Sequence, residues 1–190
     1  MMRRLAFAAA LLAWPAAGWG QTPTVGSGVI HLVGQAPSAC VIHGPADEIV
    51  ATNASYSPTG IGAGQIRITQ MVDEAQAVGR AATIDLTLGV ICNSPHRLVV
   101  RSLNGGLLRE GAAAGAPGQG GFAEFVPYRV TAGWMGRELS GASDAGGGLT
   151  LDGGAGALGQ LSVGIAIPGG ERLLAGTYRD WVVVEFGAAE

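Results

Sequence analysis

Hydrophobic and polar residues alternate with a period of two in several short stretches of this chain. The clearest runs from Ala82 to Ile91. Ile84, Leu86 and Leu88 face one way there, and Thr83, Asp85 and Thr87 the other. Successive side chains of extended backbone point to opposite faces, so this spacing predicts a half-buried strand. Gln65 to Met71 places Ile66 and Ile68 on one face, and Ala157 to Ile167 alternates in the same way. Arg97 to Leu103 predicts a strand after the Asn93-Ser94-Pro95 turn. In Phe125 to Ala132 the lone Pro127 predicts an edge or a bulge, because proline gives no N–H to a ladder. Gly176 to Phe186 reads as the last strand, and Val25 to Val33 is an apolar segment interrupted by Ser27 and His31. Helical periodicity is almost absent. Short strands between Gly-rich turns indicate an all-β sandwich or barrel.

Composition narrows this further. The 190 residues include 33 glycines and 9 prolines, yet 48% are hydrophobic and only 13% charged. Disordered chains are poor in apolar residues, collagen needs glycine at every third position, and coiled coils need heptads. None of these fits. Gly111–Gly121 and Gly141–Gly156 are dominated by small residues and read as flexible surface loops. The chain has 11 arginines and no lysine, which excludes the phosphate-binding loop with its obligatory lysine. Gly-x-Ser-x-Gly and His-Glu-x-x-His are absent. Asp73-Glu74 is a pair of sequence neighbours that diverge on a strand. No catalytic residue is assigned, no cofactor is expected, and the chain is not read as an enzyme. Asn53-Ala54-Ser55 matches a glycosylation sequon, a pattern common by chance.

The first twenty residues read as a secretory signal peptide. A basic Met1-Met2-Arg3-Arg4 start precedes ten uncharged residues, Leu5 to Trp14, and then Pro15 and small residues. Ten apolar residues are too few for a membrane span, which needs about 20. No transmembrane helix is expected. Without Arg3 and Arg4 the balance is acidic, and no basic cluster suggests nucleic-acid binding. In an exported chain, the two cysteines, Cys40 and Cys92, read first as a disulfide. Such a bridge would bring His43 and His96 into one neighbourhood. The three histidines nevertheless lack metal-ligand spacing, and no metal site is assigned.

The end of the chain reads Ala175-Gly176-Thr177-Tyr178-Arg179-Asp180-Trp181, then Val182-Val183-Val184-Glu185-Phe186. Ala-Gly-x-Tyr-x-Asp followed by valines and a final aromatic resembles the closing strand of spore coat protein U-like domains. These include subunits of archaic chaperone–usher pili. The order of features agrees over about residues 25–187. A short β-like segment precedes Cys40, and a strand ends at Cys92. Asn93-Ser94-Pro95, Asn104-Gly105-Gly106, Tyr128 and Trp134 follow. Family members often carry threonine after the aspartate, where this chain has Trp181.

The resemblance implies an immunoglobulin-like β-sandwich of the incomplete, pilin type over residues 40–190, with an N-terminal extension at 21–39. The missing strand leaves an apolar groove. A periplasmic chaperone fills it first, and the extension of a neighbouring subunit fills it after assembly at an outer-membrane usher. The family's alternation places Gly28, Ile30, Leu32, Gly34 and Ala36 in that groove as the donor strand. Val29, His31 and Val33 on the other face are almost as apolar. Tyr178, Val182, Val184 and Phe186 would line the acceptor strand. The same N-terminal segment also reads as the domain's own first strand. A free secreted binding domain on a sandwich scaffold and a small outer-membrane barrel are the alternative functions. In the leading reading the protein passes through the periplasm to a surface pilus or coat.

Overall fold

The computed structural model describes residues 29–45, 49–113, 115 and 118–189. The signal-peptide region and Gly28 lie outside them. No helix occurs among the described residues, and every regular element is a strand. In chain order these are β1 (Cys40–Pro45), β2 (Val50–Thr52), β3 (Ala54–Gly60), β4 (Ala63–Ile68), β5 (Val72–Asp73) and β6 (Val78–Gly79). The long β7 (Ala82–Cys92) leads to β8 (His96–Ser102), β9 (Leu107–Arg109), β10 (Phe125–Val126), β11 (Arg129–Trp134) and β12 (Arg137–Ala142). The last four are β13 (Leu149–Gly153), β14 (Ala157–Ile167), β15 (Tyr178–Arg179) and β16 (Val182–Ala188).

β7 and β14 pair antiparallel along their whole length, from Ala82 opposite Ile167 to Cys92 opposite Ala157. The period-two pattern dictates which side is buried. Ala82, Ile84, Leu86, Val90 and Cys92 of β7 and Leu161, Val163, Ile165 and Ile167 of β14 all face the core. β11 and then β12 extend this sheet beyond β14, while β1 and β2 share the other side of β7. A second sheet, ordered β13, β8, β16, is also antiparallel. Its Leu98, Val100 and Leu151 join the same core cluster. Smaller pairings are β9 with β10 and β15, the β3–β4 hairpin, and β5 with β6. The fold is thus all-β with several antiparallel sheets, consistent with a β-sandwich. No sheet among the described residues closes on itself, so the barrel alternative has no ring of strands to support it.

Two predicted strands are broken. Pro127 and Tyr128 separate β10 from β11, and the two pieces belong to different sheets. The proline marks a crossing between sheets rather than a bulge within one. In the same way Asp180 and Trp181 separate β15 from β16. Gly141–Gly156 is not simply a loop, because it contains β13 with Leu151 fully buried. Leu149 and Leu151 alternate with Thr150 and Asp152, a strand pattern embedded among glycines. One of those glycines is required by packing. Gly153 stands opposite His96, and a Cβ there would lie 2.3 Å from His96 Nε2.

The chain divides into two compact units, Met1–Gln35 and Ala36–Glu190. Within the second unit, Asn93 holds Pro37 and Ala39 just before Cys40. Asn93 Nδ2 donates to Pro37 O at 2.8 Å, Ala39 N–H donates to Asn93 Oδ1 at 2.8 Å, and Asn93 N–H donates to Ala39 O at 3.1 Å. Cys40 and Cys92 are directly opposite in the β1–β7 ladder and form the disulfide. It closes a loop with a sequence separation of 52. Loss of chain entropy in the unfolded state stabilises such a loop by about 4 kcal/mol. Reduction, or Cys40→Ser with Cys92→Ser, is expected to lower the unfolding free energy by roughly that amount, read from urea titrations with and without reductant.

Candidate functional site

Strand β16 is the open edge of the smaller sheet. Among the described residues it pairs with β8 on one side only. Val184 stands opposite Val100, and Phe186 opposite Leu98. Leu98 and Val100 are completely buried, whereas Val182, Val184 and Phe186 remain half-buried. The central strand is covered and its neighbour is not, although both carry core-type residues. An edge of this kind offers unpaired backbone groups beside apolar side chains.

The proposed acceptor residues do not all lie on one strand. Val182, Val184 and Phe186 belong to β16, but Tyr178 belongs to β15, which pairs with β9. Tyr178 Oη lies 2.7 Å from Ala123 O and 2.8 Å from Leu174 O, so its one hydrogen serves these two carbonyls. Its side chain holds loops together instead of lining β16. Gly176 of the same motif has φ +152°, and a Cβ there would come within 3.0 Å of the Arg109 stem.

Asp180 of the motif is a polar knot. Its Oδ2 accepts from Tyr128 Oη at 2.6 Å and from Ser102 Oγ. Its Oδ1 accepts from the backbone N–H of Asn104 at 2.9 Å and of Trp181 at 2.7 Å. One carboxylate therefore ties together the end of β8, the crossing at Tyr128 and the start of β16. Trp181 is 57% exposed while its backbone makes these contacts, so its large side chain stays outside the core.

At the other end of β16, Phe186 packs at 5.4 Å from Trp134 and 5.7 Å from His96, measured between ring centroids. Trp134 Nε1–H donates to His96 Nε2 at 2.8 Å, and His96 Nδ1 lies 2.9 Å from Ser94 O. These partners require the Nδ1–H tautomer, with Nε2 as acceptor. His96 also lies beside Cys40 and Cys92. The two sulfurs are bonded to each other and both ring nitrogens have protein partners, so the cluster presents no open donor set. His43 is exposed and is not part of it.

The donor-segment residues Ile30, Leu32, Gly34 and Ala36 lie in residues 29–39, which form no strand. The domain's first strand starts instead at Cys40. Ile30 is 85% and Leu32 93% exposed, and Val29 and Val33 of the opposite alternation are equally uncovered. Gly34 has nothing within reach of an added Cβ. The sequon residue Asn53 has its side chain engaged: Nδ2 donates to Gln70 O and Ala81 O, and Oδ1 accepts from Gln70 N–H. That amide is a structural clasp, at a residue with φ +54°.

Burial and the hydrogen bond to Asp180 push the Tyr128 phenol well above its ordinary value, and burial also raises that of Tyr178. A raised phenol stabilises the fold fully below about pH 10, where both folded and unfolded tyrosines are neutral. That contribution is lost as pH rises further, since the unfolded chain ionises first. Tyr128→Phe is expected to cost about 1.5–3 kcal/mol at neutral pH and to flatten the fall in stability above about pH 10. Urea titrations at several pH values check both effects.

Compared with protein-family models, curated proteins and solved structures, the chain matches none.

Proposed function

We propose that the protein is a structural subunit of a surface fibre or coat, assembled by donor-strand complementation on an incomplete immunoglobulin-like sandwich. The observation that carries this reading is the edge of β16 that stays unpaired among the described residues. Its inward residues Val182, Val184 and Phe186 are left half-covered in a chain that also carries an uncovered apolar segment at 29–33. An added strand would supply main-chain hydrogen bonds to the edge, and its alternate side chains would cover the exposed core residues. In this reading the segment from Gly28 to Ala36 is that strand for a neighbouring copy. A periplasmic chaperone holds the edge before assembly, and an outer-membrane usher exchanges one strand for the other. The disulfide suits passage through an oxidising compartment. In this reading the role is mechanical.

A charge buried in an apolar groove costs several kcal/mol, and about 3 kcal/mol is already more than a hundredfold in occupancy. Leu32→Asp is therefore expected to abolish SDS-resistant multimers while leaving a soluble chaperone-bound monomer. Gel mobility of unheated samples reads this directly. Multimers from Leu32→Asp at the level of the unaltered chain would overturn the donor assignment.

A further inference from the structure

The geometry points to Asn93 as a positioning residue that directs the N-terminal segment into a second copy by blocking its return onto its own domain. This inference rests on the donor-strand reading above. Asn93 takes both backbone groups of Ala39 and the carbonyl of Pro37, through three hydrogen bonds of 2.8–3.1 Å. The next residue, Cys40, is bonded to Cys92. Asn93 follows Cys92 directly, so these bonds prolong the β1–β7 ladder beyond the disulfide. Pro37 to Ala39 are thereby held as a continuation of β1.

The place of this clamp matters. Ala188, the last residue of β16, pairs with His96, and Ala189 N–H donates to Pro95 O at 3.2 Å. The open edge strand therefore ends within a few residues of the clamp. If the segment filled its own domain's edge, Ala36 would lie near Ala188, and the chain would run back from there toward Val182. That path demands a reversal between Ala36 and Cys40. Pro37, Ser38 and Ala39 would have to form the turn, but the backbone of Ala39 and the carbonyl of Pro37 are committed to Asn93. The returning segment would moreover lie parallel to β16, the slightly weaker of the two pairings. A segment from another copy faces none of these limits and is free to enter antiparallel.

The test uses the full chain recovered from the periplasm, as unaltered protein, Asn93→Ala, and a variant with four flexible residues inserted between Ala36 and Pro37. The insertion leaves the clamp intact but supplies a turn outside it, and so serves if Asn93→Ala does not fold. Disulfide content and circular dichroism report folding. Complementation between copies weakens on dilution, whereas complementation within one chain does not. The unaltered protein is expected to form SDS-resistant multimers. Asn93→Ala is expected to shift toward monomer by about tenfold, the scale set by losing roughly one net hydrogen bond, and the insertion to shift in the same direction by freeing the turn. Their monomers should melt at a temperature independent of concentration, and adding Leu32→Asp should lower it. Multimers unchanged in both variants, or variant monomers indifferent to Leu32→Asp, would overturn the role of Asn93 and leave the donor reading standing. Absence of multimers from the unaltered protein overturns the donor reading itself.

Discussion

The eleven-residue ladder between β7 and β14 is the constraint from which the rest of this structure follows. Every second residue of both strands faces the core, so a slip of one residue would turn the whole apolar set to solvent. That register fixes what the free side of β7 presents. β1 and β2 attach there end to end, and the ladder brings Cys40 opposite Cys92. On the other side, β11 hangs from β14 and delivers Trp134 to the core. The cross-strand disulfide, the His96–Trp134 bond and the Asn93 clamp all sit at one end of this ladder.

The smaller sheet has no comparable security. Its centre, β8, is paired on both sides, while among the described residues β16 has one partner strand. It is held at its two ends instead. The Asp180 carboxylate gathers four donors where β16 begins, and Phe186 packs on Trp134 and His96 near its close. Between these fixed points lies an edge whose inward apolar side chains, among the described residues, are half-buried. In the donor-strand proposal this is the edge with which an added strand would pair.

The strands with strict alternation were legible in advance. Ala82 to Ile91, Ala157 to Ile167 and Arg97 to Leu103 appear within a residue or two of the expected bounds, as β7, β14 and β8. The disulfide followed from two cysteines in a chain read as exported. β13 was missed because Leu149 and Leu151 sit among glycines, where composition outweighs a short pattern. Tyr178 was placed on the same strand as Val182 because alternation continues across Asp180 and Trp181 without a break. Alternation reports which way a side chain points, but it does not report a change of partner strand. The clasp at Asn53 carried no signal beyond a sequon, and that pattern suggested a different role for the same amide.

Local pattern by itself determined the all-β class, the main strands and which of their faces are apolar. The reason is physical: alternation, turn residues and glycine content act over a few residues, and their consequences are read at the same range. Only the tertiary structure decided that β16 is an edge, that Asp180 collects Tyr128, Ser102 and Asn104, and that Asn93 grips Pro37 and Ala39. Each of the side-chain contacts joins residues more than fifty positions apart in sequence. Such pairs are selected by how whole sheets stack and register. No local preference encodes which strand will be left without a neighbour.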